Sequence, residues 1–343
     1  MVVDMSASMA FQGANLLNAD FGIGAKGALN IAGLAHGPLK IKNVQLTGRY
    51  DGETDRVLID DGELDSDGLT AHMTGKSDLV RDGSKVLSQI KFETSLDKVA
   101  LNMPGVLKAP LSLRSIAIRG SYLTATRELA IERAELSGGN LSIQASARVG
   151  IAPRQSAAID AQGQISNIGV RDLLNYWPVP AAAGVRSWLD RNVPAGTVGP
   201  VKFNIHLPKG MLDQPTLPDD ALNVSIPING AEANYIQGLR HLTQLKGVAT
   251  LTGKTFAADI SSAHIGPLAV SQGHVAVPDL QASTSIGDFS ARGEWFDAGY
   301  SDPRRYEAAK LSDALRDRHC ADERRRQSRF GISPPASKEP ESR

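Results

Sequence analysis

A single cysteine, Cys320, in 343 residues excludes an internal disulfide framework and any zinc site built on several cysteines. It leaves the compartment open, since an exported protein needs no disulfide. Aromatic residues make up only 5% of the chain, which leaves few platforms on which bases or sugars stack. Neither sign of charge prevails: 37 Lys and Arg balance 37 Asp and Glu, so nothing global points to nucleic acid or an anionic membrane surface. No apolar run approaches the roughly 18 residues of a spanning helix. The opening Met1-Val2-Val3-Asp4-Met5-Ser6 lacks the basic-then-apolar order of an export signal.

Catalytic and cofactor patterns are equally scarce. No Gly-x-Ser-x-Gly elbow occurs, and the seven histidines are scattered singly, with no His-x-x-x-His pair or ligand-like spacing. His206 and His274 fall inside strand patterns, as polar-face residues. Gly22-Ile23-Gly24-Ala25-Lys26-Gly27 matches the dinucleotide-binding glycine pattern, but Leu29 and Ile31 then alternate and Gly33, Gly37 and Pro38 break any helix, so a glycine-rich hairpin is expected. Gly247 to Gly253-Lys254-Thr255 has five residues between its glycines where a phosphate loop needs four. A Gly-Lys turn between two strands explains it better. Glu63, Asp65, Asp67 and Gly68 imitate half of a calcium loop whose closing carboxylate is replaced by Thr74. A hydrolase using loop acids such as Asp60 and Asp61 ranks last, because adjacent acids on a turn face water. No nucleotide, nucleic acid, metal or other cofactor is expected.

What the chain does contain is alternation. Leu69, Ala71 and Met73; Leu141, Ile143, Ala145, Ala147 and Val149; Val201, Phe203, Ile205 and Leu207; Leu222, Val224, Ile226 and Ile228; and Phe256, Ala258 and Ile260 recur every second residue, the period of a strand with one apolar face. The dipeptides Asp51-Gly52, Asp61-Gly62, Asp67-Gly68, Asp82-Gly83, Gly138-Gly139 and Asn229-Gly230 are read as hairpin turns. Pro227 suggests an edge or bulged position. A sandwich, a closed barrel or a long curled sheet would each cover such strands.

One island is helical. Val170, Leu173, Leu174 and Trp177 share a helix face that Pro178 stops, with Asn167 available as a cap. Pro180 suits the first turn of a second helix carrying Ala181, Val185, Trp188 and Leu189, which Pro194 and Gly196 end. Leu173, Trp177 and Trp188 are expected to pack, pinning the pair across the sheet or plugging one end of a groove.

Asn175-Tyr176-Trp177-Pro178 and Ser187-Trp188-Leu189-Asp190-Arg191-Asn192, followed by the strand from Val201 to Pro208, resemble the signature of the AsmA-like YhdP family of Gram-negative envelope proteins. The hairpin wording of Leu46 to Gly52, Val57 to Ala71, Gly247 to Leu251 and Gly273 to Leu280 extends the resemblance from about Leu39 to Leu280. It implies a mainly β fold: an elongated, twisted antiparallel sheet of repeated hairpins forming an apolar groove, with a short two-helix insertion. The expected layout is a hairpin-repeat region over 1–165, the Trp-bearing helical pair over 166–195, a second β region over 196–296, and a disordered Arg- and Pro-rich tail over 297–343, with a possible short helix from Arg305 to Arg318. The change of character at Asp297 is expected to reflect a reading-frame change or gene truncation. The family's N-terminal membrane anchor and greater length make the chain an expected internal piece of a longer protein, periplasmic and anchored in the inner membrane.

The function so implied is non-enzymatic: sheltering phospholipid acyl chains on their way between inner and outer membranes, in outer-membrane lipid homeostasis. Phe203, Ile205, Val224, Ile226, Phe256 and Ile260 are the groove candidates. The alternatives are a β-scaffold that binds protein or polysaccharide, or a non-functional gene fragment.

Overall fold

The computed structural model describes residues 2–29, 39–151, 155–179, 183–214, 216–234, 240–280 and 288–295. The chain divides into two units, Met1–Tyr235 with Arg240–Glu294, and Ile236–Leu239 with Trp295–Arg343. Apart from Trp295, the second lies outside the described residues, as do the Arg- and Pro-rich tail and the helix expected within it.

The first unit is one open antiparallel sheet. Its strands are β1 (Val2–Gln12), β2 (Asn15–Leu29), β3 (Leu39–Asp51), β4 (Arg56–Ser66), β5 (Leu69–Arg81), β6 (Leu87–Leu101), β7 (Leu111–Leu123), β8 (Glu128–Gly138), β9 (Leu141–Gly150) and β10 (Ala158–Ile165). After β11 (Ile168–Gly169) come two helices, α1 (Val170–Tyr176) and α2 (Ala183–Asn192), and the short β12 (Ala195–Val198). The sheet resumes with β13 (Val201–Leu207), β14 (Leu222–Ala233), β15 (Leu242–Thr252), β16 (Phe256–Ile265), β17 (Leu268–Val277) and β18 (Asp288–Trp295). Each strand from β1 to β9 pairs with its successor, β10 passes over the helical insertion to pair with β13, and the meander continues to β17. The open, twisted sheet foreseen from the resemblance is therefore present, with the two-helix insertion inside it.

Register puts the apolar residues on one face. Partners across an antiparallel ladder point the same way, so the pairs Met5 with Ile23, Ile23 with Leu46, Met73 with Leu96, Leu96 with Ile116, Ile116 with Leu136, and Leu136 with Ile143 carry one row across the sheet. Where the alternation would drift, a bulge corrects it. In β4, β8 and β14 the ladder shifts between Ile59 and Gly62, Ile131 and Ala134, and Ile228 and Ala231. An extra residue there returns Leu64, Leu136 and Ala233 to the face that Val57, Leu129 and Val224 already occupy.

These bulges correct two turn assignments. Asp61-Gly62 and Asn229-Gly230 lie inside β4 and β14 at register shifts, not between strands. Glycine serves a bulge as well as a turn, through positive φ at Gly230 (62°) and close approach to Leu46 at Gly62. The other four dipeptides do sit at strand ends. Pro227 is not on an edge strand either, because β14 is paired on both sides. It faces the gap between β12 and β13, where no ladder partner needs its missing N–H, and its carbonyl accepts the Gly199 N–H at 2.8 Å.

Three cross-strand pairs set a phenylalanine against a glycine: Phe21 and Gly48, Phe92 and Gly120, Phe203 and Gly163. Each ring lies over the glycine, where a Cβ would meet it at 2.8, 3.0 and 2.6 Å. A ring resting on bare backbone covers that backbone and leaves the face low in relief. Gly163→Ala places its Cβ 2.6 Å from Phe203 Cζ and 2.5 Å from the Gln144 carbonyl oxygen. The expected cost is about 2 kcal/mol of overpacking, read as a lowered midpoint in chemical denaturation; an unchanged midpoint would show that the ring does not rest there.

Candidate functional site

The helical pair closes one end of the apolar face. Strands β5, β7, β9 and β13 start, and β4, β6, β8 and β10 finish, on the side where the insertion lies, and there Ala71, Val99, Leu113, Leu141 and Val201 join Ile168, Val170, Leu173 and Val193 in one buried cluster. Helix α1 starts after Gly169 with no side-chain cap. Asn167 does not fill that role, because β11 intervenes and is paired to β12. Fixing comes from elsewhere: the Tyr176 hydroxyl donates to the Gly138 carbonyl at 3.2 Å, and Asn140 Nδ2 donates to Asp172 at 2.9 Å. Lys108 and Arg171 both reach Asp190, at 3.0 and 3.2 Å, and the Val179 N–H donates to the Val106 carbonyl at 2.7 Å.

The side chain that joins the two helices is Arg186. It is only 6% exposed, and its guanidinium donates to the carbonyls of Leu174 (2.9 Å) and Trp177 (3.2 Å), groups left unpaired at a helix end. A lone arginine in a Ser-Trp-Leu context gave no sign of this. Leu173 is buried and Trp177 packs half-buried against the cluster, whereas Trp188 is 41% exposed.

The six groove candidates share the apolar face but not their surroundings. Phe203 pairs with Val224 and Ile205 with Leu222; Val224 pairs with Leu251, which in turn pairs with Phe256. Phe203, Ile205, Val224 and Phe256 are half-buried. Ile226 and Ile260 are buried in the cluster that also holds the helix residues. The row of Phe203 continues through Ala145, Ala134, Ile118, Thr94, Gly75 and Ile59 to Gly48 and Phe21. Single-strand alternation did not disclose this continuity, because it exists only once the ladders are in register.

The opposite face is a lattice of charge. Arg49 holds Asp60 and Arg56 holds Asp78, while Lys76 and Arg119 both meet Glu93. Three histidines stand directly opposite aspartates: His72 and Asp97, His206 and Asp160, His274 and Asp259. Lys42 lies 3.9 and 3.3 Å from Asp65 and Asp67, two of the acids that imitate a calcium loop. Among the described residues no three metal-ligating side chains converge, and no helix is long and apolar enough to cross a membrane. The dinucleotide-like glycines run through the middle of β2, and Gly253-Lys254 forms the turn between β15 and β16.

A family model described as YhdP protein matches residues 70–287. The chain belongs to the YhdP family. Membership places it in general terms with envelope proteins of the lipid-transport type, in a family that is not one of known enzymes. No curated protein and no solved structure matches. The matched span of this YhdP chain runs from β5 to the end of the described part of the sheet before β18, helices included.

His72 offers a direct check of the polar lattice. Its Nε2 and Nδ1 lie 2.7 Å from Asp61 and 2.7 Å from Asp97, and these hydrogen bonds, Asp61's first, raise its pKa above the ordinary 6.5. Protonated His72 donates both N–H groups, so its contribution to stability is complete below the unfolded pKa and fades as pH rises through the elevated folded value. An NMR titration is expected to give a midpoint above about 6.5 that falls in Asp61→Asn and again in Asp97→Asn. A midpoint at or below the ordinary value would contradict the geometry.

Proposed function

We propose that the uncovered part of the apolar face shelters the acyl chains of phospholipids as they pass between the inner and outer membranes, in the periplasm and without catalysis, within a protein whose full length is anchored in the inner membrane. The observation that supports this is the single-sided row running from Phe21 through Ile118 and Ala145 to Phe203, left half-buried outside the cluster that holds the helix residues. Each methylene taken from water is favoured by about 0.8 kcal/mol. A uniform row of small contacts therefore holds a chain firmly while no single contact prevents it from sliding. Glycines beneath Phe21, Phe92 and Phe203 keep that face shallow. Polar side chains on the other face keep the sheet wetted there, and the cross-strand charges are exposed pairs of small individual worth.

Native mass spectrometry of the purified protein tests the proposal. Co-purifying phospholipid is expected on the unaltered chain and at least tenfold less on Ile118→Gln with Ile205→Gln, both half-buried on the open part of the face, with little change in melting. Ile226→Gln, in the buried cluster, is expected instead to lower stability by about 3 kcal/mol. A chain that carries no lipid, or an Ile118–Ile205 double variant that keeps its lipid, would overturn the proposal in favour of an interaction scaffold.

A further inference from the structure

The bulge of β4 gathers charge that a regular strand would spread over two faces. Alternation sends successive side chains to opposite sides, but here Asp60 and Asp61 together stand against the single Thr74 of β5, between the pairs Ile59 with Gly75 and Gly62 with Met73. Two adjacent carboxylates are thereby exposed on the polar face. Neighbouring like charges repel, and each of these two is held from a different strand. From β3, Arg49 donates to both oxygens of Asp60, at 3.1 Å through Nε and 3.0 Å through Nη2. From β5, His72 Nε2 lies 2.7 Å from Asp61. The Thr47 hydroxyl of β3 also donates to the Asp61 carbonyl, at 3.4 Å.

The two holders differ in kind. An arginine keeps its charge across the pH range a protein meets, whereas a histidine gains and loses its charge within it. Around His72 the other charges are mostly acidic. Glu63 of β4 and Asp97 of β6 stand directly opposite it, and Asp97 lies 2.7 Å from Nδ1; Lys98, next to Asp97 on β6, is exposed, and the same-face neighbours on β5 are Thr70 and Thr74. Protonated His72 has two N–H donors and satisfies Asp61 and Asp97 together. Neutral His72 has one. One of the two carboxylates then loses its partner, and Asp61 is left beside Asp60 and Glu63 with no cation between them.

We infer that Asp60, Asp61 and His72 make the β4 bulge a pH-sensitive clamp, closed while a protonated His72 ties β4 to β6 and loosened when that histidine is neutral. The bulge sets the phase of its strand: Val57 before it and Leu64 after it share the apolar face only while the extra residue stays in place. Loosening it therefore weakens the continuity of that face at one defined place. The β8 bulge supplies the contrast, because between Ile131 and Ala134 it holds Glu132 and Arg133, charges of opposite sign with no histidine across the ladder. The hydrogen bonds that form the clamp also keep His72 protonated to higher pH than an ordinary histidine. The clamp does not depend on the lipid role.

The test is backbone hydrogen exchange, corrected for the intrinsic effect of pH, at about pH 5.5 and about pH 8.5, either side of the histidine range. The amides of the β4 bulge are expected to exchange at least fivefold faster at the higher pH, and those of the β8 bulge to stay within twofold. His72→Gln is expected to hold the β4 amides at the faster level at both pH values. Asp61→Asn keeps the histidine but leaves one carboxylate at the bulge, and is expected to bring the change below twofold. Equal protection of the β4 bulge at both pH values in the unaltered chain would overturn the clamp, as would a pH response that survives in either variant. So would an equal change at the β8 bulge, which would mark a loss of stability throughout the sheet.

Discussion

Cross-strand register is the constraint on which everything else rests. Side chains in a strand alternate with period two, so a slip of one residue in any ladder would turn that strand's apolar residues into the solvent and set its charges against its neighbours' apolar side chains. The bulges in β4, β8 and β14 show the constraint at work, since each adds one residue at the place where the apolar pattern changes phase. Glycine-backed phenylalanines fix the same register from the apolar side: Phe203 fits only against Gly163, where no Cβ obstructs it. On the polar side, opposite charges stand across the ladders, as with Arg56 and Asp78 or Lys76 and Glu93. A slip would separate them.

Given that register, the difference between the two ends of the strands follows from one insertion. The helices between β11 and β12 bring Leu173 and Val193 over one end of the sheet, and Arg186 lets them meet there by taking up carbonyls that would otherwise be buried unpaired. Ile226 and Ile260 belong to the same buried cluster. Val224 and Phe256 pack against that cluster, whereas Phe203 and Ile205 stay half-buried outside it. One face thus offers a packed core at one end and an uncovered apolar surface elsewhere, although the sequence period is the same throughout.

Most of the architecture was legible in the sequence because alternation and helical spacing are local. The strands around Ile143, Phe203 and Ile260, the helical island at Trp177 and the family resemblance all came from short windows. What a window does not hold is the partner. Asp61-Gly62 and Asn229-Gly230 read as turns because a bulge glycine and a turn glycine look alike without the neighbouring strand. Pro227 read as an edge or bulged position because the gap opposite it is made by Gly199 and Pro200, a ladder away. Arg186 gave no sign because burial of its charge depends on the carbonyls of another helix. For the groove candidates the limit is physical: an apolar strand residue packed in a cluster and one facing a lipid obey the same period.

The most direct measurement places a photo-crosslinking residue at successive positions of β9, Ile143, Gln144, Ala145, Ser146 and Ala147, in protein exposed to phospholipid vesicles. Ile143, Ala145 and Ala147 share a face with Ile165, Gly163 and Ala161 of β10, while Gln144 and Ser146 share the other with Gln164 and Gln162. Lipid adducts at the first three and none at the two between them are the expected result. Adducts of equal yield at all five, or at none, would contradict a lipid-bearing apolar face.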